Sequence, residues 1–123
     1  MTATIRAGIL TAFNVTRGAA VATRVQRADD AASRSKGLLG RRSMEADEGL
    51  WIVPCPMIHT LFMKFPIDVV FLDRALRVVR VIEDIRPWRV SPWVFSAHSV
   101  LELKGGILKG SVAVGDVLEM RPS

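Results

Sequence analysis

Three side chains with soft or borderline metal-ligating atoms recur every four residues in one apolar stretch. They are Cys55, His59 and Met63. If this stretch is an extended strand, residues four apart share a face, and a sulfur, nitrogen, sulfur set suits copper(I) better than magnesium. The distance between these residues opposes a shared metal ion, because residues four apart on an extended strand lie about 13 Å from one another. Core packing of all three is the competing interpretation, since Cys and Met are among the residues most often buried.

A second pair repeats this spacing near another predicted strand. His98 and Glu102 are four residues apart, and two histidines with one carboxylate would form a three-ligand metal site with an open position. The lone cysteine is alternatively a nucleophile beside a histidine base. The sequence thus supports, as an alternative, a metal-dependent or cysteine-based enzyme that uses Cys55, His59, His98 and Glu102. No cofactor is predicted beyond this metal ion, to which Met63 would add a ligand.

A possible ligand-binding surface lies on two loops. Lys64 and Asp68 favour a surface ion pair or a turn cap first, because exposed pairs are common, and recognition of a carboxylate or phosphate second. The tryptophans and arginine of a proline-stiffened loop over 87–93 suit a flat or anionic partner, with coverage of a barrel mouth as the alternative. We predict a surface formed by Met63, Lys64, Asp68, Trp88, Arg89 and Trp93.

Length and composition limit the class of protein. With 123 residues, of which 50% are hydrophobic and 24% charged, the chain fits one packed domain over 1–123, and a disordered chain or a disulfide scaffold is excluded. A single cysteine is typical of a reducing compartment, so we expect a cytoplasmic location. The first ten residues lack the apolar stretch of a signal peptide, and no apolar run approaches the roughly 20 residues of a membrane-spanning helix.

The positive charge is concentrated in the first third of the chain. Residues 1–42 carry eight Lys or Arg against two Asp, a net charge of +6, whereas residues 43–123 carry nine against ten, a net charge of −1. A basic nucleic-acid binder that uses Arg24, Arg27, Arg41 and Arg42 is therefore the third functional alternative. It is disfavoured, because no basic stretch is interleaved with aromatic residues.

Hydrophobic patterning predicts a mainly β fold. Strands over 5–15 and 20–25 form a hairpin, and a helix over 29–39 begins at a cap supplied by Asp29 or Asp30. Further strands are predicted over Leu50–Val53, Met57–Met63, Val69–Leu72, Leu76–Asp84, Ser99–Lys104 and Val117–Met120. The expected architecture is a small antiparallel sandwich or open barrel of about seven or eight strands, with the one helix covering it.

Four blocks in order resemble the domain-of-unknown-function 192 family of uncharacterised bacterial and archaeal proteins. The blocks are Arg34 with Gly37–Arg41, then Phe62–Asp73, then Val100–Leu103 with Gly105 and Gly106, and finally Val114–Val117. Leu39 stands where the family usually has methionine, and Phe65 with a shortened loop replaces its usual Asn-Thr. The resemblance implies a compact β-rich fold and no established reaction.

Among these alternatives, a binding function is predicted first. We expect a small soluble ligand-binding or accessory module without catalysis, whose partner is a small molecule or a protein. Nucleic acid and insertion into a membrane are not expected.

Overall fold

Within the residues that the structure describes, the fold consists of one curled sheet and one short helix. The computed structural model describes residues 8–123, without the side chains of residues 31, 35 and 36. Its elements are β1 (Ile9–Asn14), β2 (Ala19–Ala28), α1 (Ala31–Lys36), β3 (Glu48–Ile52), β4 (Ile67–Leu72), β5 (Val78–Ile85), β6 (Ser99–Lys104) and β7 (Leu118–Pro122). The strand order is β5-β4-β6-β3-β2-β1-β7. The predicted mainly β class is confirmed.

The two edge strands meet at one end of the sheet. Arg77, just before β5, forms an antiparallel bridge with Val117, just before β7. The backbone N–H of Leu118 donates to the carbonyl of Leu76 at 2.9 Å, and that of Val78 donates to the carbonyl of Asp116 at 2.8 Å. These bonds curl the sheet into a half-open barrel, the second of the two predicted architectures.

The helix lies in the connection between the one parallel pair of neighbouring strands, β2 and β3. A parallel pair needs a crossover, and α1 supplies it. The carboxylate of Asp30 caps the helix by accepting the N–H of Ser33 at 2.7 Å, as predicted. The helix is shorter than the predicted 29–39, because Gly37 ends it with a φ of 46°.

The segment 57–63, predicted as a strand, is an irregular loop. It belongs to the connection between β3 and β4, residues 53–66, which we call the cover loop. Pro56 has no backbone N–H for a strand ladder, and Phe62 turns the chain with a φ of 64°. Thr60 attaches the loop to the rest of the protein, since its N–H donates to the carbonyl of Arg89 at 2.8 Å.

Both faces of the central strands are buried against apolar cores. The helix-side core contains Val69 of β4 and Val100 of β6, together with apolar residues of the cover loop. The opposite core contains their chain neighbours Val70 and Leu101. Because successive strand residues alternate between faces, Glu102 shares the helix-side face with Val100.

Asp68 is fully buried in β4 and accepts three backbone N–H bonds. The donors are Asp84 at 2.7 Å, Gly106 at 2.9 Å and Leu108 at 2.9 Å. The predicted surface ion pair with Lys64 is therefore wrong, since Lys64 is exposed and Asp68 lies in the interior. The cap alternative describes Asp68 better, because its carboxylate binds the connections that follow β5 and β6 to the sheet.

Replacing this carboxylate should destabilise the fold strongly. Asp68→Ala leaves three N–H groups without their acceptor, each worth about 1–3 kcal/mol, so we expect the free energy of unfolding to fall by about 3 kcal/mol or more. Urea denaturation measures this change. Asp84→Asn, at an exposed neighbour that keeps its backbone N–H, should change stability by less than about 0.5 kcal/mol. Equal stability of the two variants would contradict the role given to Asp68.

Candidate functional site

A cavity of about 270 Å³ lies between the end of α1, the cover loop and the central strand β6. Most of its wall is apolar, formed by leucine, isoleucine, proline and methionine side chains. The polar or titratable side chains in the wall are those of Arg34, Cys55, His59 and Glu102. A concave, mainly apolar site with a few converging polar groups is the usual form of a small-molecule pocket.

Glu102 is among the most buried residues of the cavity wall. It is in the centre of β6, opposite Leu50 of β3 and Val69 of β4, and it is 4% exposed. Its carboxyl borders the cavity and has no hydrogen-bond partner among the described residues. Burial raises the pKa of Glu102 to about 8, so the carboxyl is mostly protonated at pH 7 and offers one O–H donor and one carbonyl acceptor.

Cys55 is a protonated thiol in the same wall. Its S–H donates to the carbonyl of Met57 at 2.8 Å. Burial raises the pKa of Cys55 to about 11, the carboxyl of Glu102 adds to this rise, and the positive charge of Arg34 opposes it. A thiol held protonated is a poor nucleophile, so this environment does not activate Cys55.

Arg34 lines the cavity but was not among the candidates that side-chain chemistry selected from the sequence. It lies on α1, and one guanidinium N–H donates to the carbonyl of Asp29 at 2.9 Å. It also begins the first block of the family resemblance, and Gly37, Leu38 and Leu39 from that block line the cavity with it. This block of the family motif was thus the feature of the sequence that marked Arg34, although it gave no reason to expect a cavity.

The cover loop brings three predicted site residues together without forming a strand. Cys55, His59 and Met63 all line the cavity with Glu102, Met63 buried and His59 exposed at the rim. The assumption of an extended strand was therefore wrong. The three residues share a cavity wall from within an irregular loop, and their role in binding a ligand stays a prediction.

His98 does not join this group. Its side chain lines a separate hollow with Asp73 and Phe95, although its carbonyl accepts the N–H of Cys55 at 2.9 Å. The expected convergence of His59, His98 and Glu102 is not found. Within residues 8–123, no group of three His, Cys, Asp or Glu side chains is arranged to hold a metal ion. A metal bound with Met63 sulfur stays a prediction.

The loop over 87–93, which carries Trp88 and Trp93, does not line the cavity. Trp88 and Trp93 are 56% and 54% exposed, so neither is a buried cover of the barrel. The ring of Trp88 meets the exposed ring of Phe62 edge to face, with centroids 4.7 Å apart. Recognition of a flat or anionic partner by Trp88, Arg89 and Trp93 stays a prediction.

Acidic side chains nearby neutralise part of the positive charge in the first third of the chain. Ion pairs join Arg24 to Asp47 at 2.7 Å, Arg27 to Asp29 at 3.1 Å and Arg41 to Glu48 at 2.8 Å. Of the four arginines named for nucleic-acid binding, Arg42 is the one without such a pair among the described residues. The pairing gives that hypothesis no support. No helix in the described part of the chain is long and apolar enough to cross a membrane.

The environment of Cys55 predicts slow alkylation. With a pKa of about 11, its thiolate fraction at pH 8 is roughly a thousandth, so we expect iodoacetamide to modify the folded protein at least tenfold more slowly than the urea-unfolded chain. Mass spectrometry over time measures both rates. Because Cys55 is the sole cysteine, the unfolded chain is an internal control, and equal rates would contradict the assigned burial and pKa.

The comparisons with known proteins agree with the family resemblance. The DUF192 family model, described as an uncharacterised ACR, matches residues 12–120. The UPF0127 protein of Pyrococcus furiosus is 33% identical over 113 residues, which cover 87% of this chain and 95% of that protein.

Two solved structures share the fold. One, a protein of unknown function from Novosphingobium aromaticivorans, is 23% identical with a TM-score of 0.76, over 90% of this chain and 83% of that chain. The other, described as a candidate transcription regulator from Sinorhizobium meliloti, is 25% identical with a TM-score of 0.78, over 90% and 91% of the two chains. By its sequence, this chain belongs to the DUF192 family of uncharacterised proteins.

Proposed function

We propose that the chain is a binding module whose cavity holds a small, mainly apolar molecule through an uncharged hydrogen-bonding group placed against Glu102. The observation that carries the proposal is the buried carboxyl of Glu102, which faces the cavity without a partner among the described residues. The fully enclosed polar atoms without a partner in the described chain are Trp51 Nε1 and Ser99 Oγ, so the carboxyl of Glu102 is accessible from the cavity, where water or a ligand can bond to it. A ligand with a matching donor and acceptor would replace that water.

The protonation state of Glu102 defines the chemistry of that partner. A neutral carboxyl donates through its O–H and accepts through its carbonyl, and an amide group offers the complementary acceptor and donor. The cavity size limits the rest of the ligand. Since an apolar cavity of about 150 Å³ accommodates benzene, the 270 Å³ here suits a molecule somewhat larger than one six-membered ring.

The other polar groups favour binding over catalysis. The thiol of Cys55 is held protonated, and His98 lies in a different hollow, so the four residues named for an enzyme are not assembled around one point. The free thiol also supports the cytoplasmic location proposed for the module.

Hexanamide is a suitable first probe of the cavity. We expect it to bind at pH 7 and to shift the NMR signals of cavity residues, and we expect Glu102→Leu to weaken binding at least tenfold through loss of both hydrogen bonds. Glu102→Gln, whose amide also donates and accepts, should stay within about threefold of the wild type. Affinity should fall as pH rises above about 8, where Glu102 ionises and loses its donor.

The ligand class would be wrong under either of two results. One is that hexanamide fails to bind. The other is that hexylammonium binds more tightly than hexanamide at pH 7, since that preference would require an ionised Glu102.

The same carboxyl predicts a specific dependence of stability on pH. Its pKa is raised from 4.5 to about 8 in the folded state, so between these values the unfolded chain releases a proton that the folded protein keeps. The contribution of Glu102 to the free energy of unfolding is therefore fully present below pH 4.5 and is lost as pH rises towards 8. Relative to Glu102→Gln, the wild type should lose up to about 1.4 kcal/mol of unfolding free energy per pH unit in this window.

Urea denaturation at several pH values measures this difference. Glu45→Gln, at an exposed glutamate, is the matched control and should give a curve parallel to that of the wild type. A parallel curve for Glu102→Gln as well would contradict the raised pKa.

A further inference from the structure

Arg34 is the permanently charged group in the cavity wall. Among the described lining residues, Glu102 is mostly neutral at pH 7, Cys55 is protonated, and His59 carries no negative charge in either of its protonation states. No other side chain of the wall is acidic. The charge of Arg34 is therefore not balanced within the cavity.

Arg34 also differs from the arginines near it in the chain. Arg24, Arg27 and Arg41 each form an ion pair with a carboxylate, whereas Arg34 forms none within 4 Å of a described carboxylate, although its charge acts on Asp30 at the start of α1, outside the cavity wall. Its one described side-chain hydrogen bond runs to the carbonyl of Asp29. A guanidinium has five N–H donors in a planar fork that matches a carboxylate, so most of its capacity is available to a ligand.

The positions of the two groups set the orientation of a ligand. Glu102 is 4% exposed on the central strand β6, whereas Arg34 is only half-buried on α1. Both groups line the same cavity, together with Cys55. A molecule that fills the cavity can therefore meet an uncharged partner at its inner end and a cation at its outer end.

We propose that the ligand is an organic anion, with an amide-like group at Glu102, an apolar chain along the cavity wall and a carboxylate bound by Arg34. The inference rests on the function proposed above and adds the charge of the ligand to it. The same arrangement disfavours cations, because an ammonium at the outer end would be repelled by the guanidinium.

Three amides that differ at one end test this inference. Hexanamide ends in a methyl group, adipamic acid in a carboxylate and 6-aminohexanamide in an ammonium, while all three share the amide end and a similar chain. At pH 7 and low salt, we expect adipamic acid to bind at least fivefold more tightly than hexanamide, and 6-aminohexanamide to bind more weakly than both. The advantage of the acid should shrink as sodium chloride is added, because salt screens exposed charge.

Variants of Arg34 identify the group responsible. Arg34→Gln should remove the preference for adipamic acid and leave hexanamide within twofold of its wild-type affinity, which also reports that the variant is folded. Arg34→Lys should keep part of the preference, because it keeps the charge without the planar fork. Arg42→Gln, at an exposed arginine outside the cavity wall, is the matched control and should behave as the wild type.

The outcomes separate this inference from the proposed function. If hexanamide binds but adipamic acid binds no more tightly, or if the preference persists in Arg34→Gln, the anionic ligand is wrong and the amide-binding cavity stands. If none of the three amides binds, the proposed function fails and this inference fails with it.

Discussion

Burial of the central strands on both faces is the constraint on which the rest of the structure depends. β4 and β6 lie between other strands and carry apolar side chains into the helix-side core and the opposite core. Water is excluded from both faces, so a polar side chain on either strand needs a partner inside the protein. Asp68 on β4 and Glu102 on β6 are the acidic residues placed under this constraint.

The two acids meet the constraint in opposite ways. Asp68 accepts three backbone N–H bonds and thereby orders the connections around the sheet. Glu102 lies between Leu50 and Val69, whose side chains offer no donor, and burial raises its pKa so that it is mostly protonated at pH 7. One carboxyl is thus explained by the fold, whereas the other is the group on which the proposed ligand binding rests.

The cover loop and α1 give that carboxyl its surroundings. They form apolar walls above the helix-side face of β6 and leave a cavity where close packing would otherwise be expected. Arg34, on α1, lines this cavity and forms no ion pair with a described acid, whereas ion pairs join other arginines of the same region to acids. The cavity thus has a buried, protonated carboxyl on β6 and a guanidinium on α1. The anionic ligand proposed above rests on the separation of these two groups.

The sequence by itself determined the features that depend on neighbours in the chain. Hydrophobic patterning located β4 and β6, and the Asp30 cap followed from helix-end chemistry. Spacing in the sequence also selected Cys55, His59 and Met63, although for a strand that does not form, and Glu102 on a strand that does. Only the tertiary structure decided that these four share a cavity with Arg34 and without His98, because burial, pKa and adjacency arise from contacts between segments distant in the chain. Local preferences carry no information about those contacts.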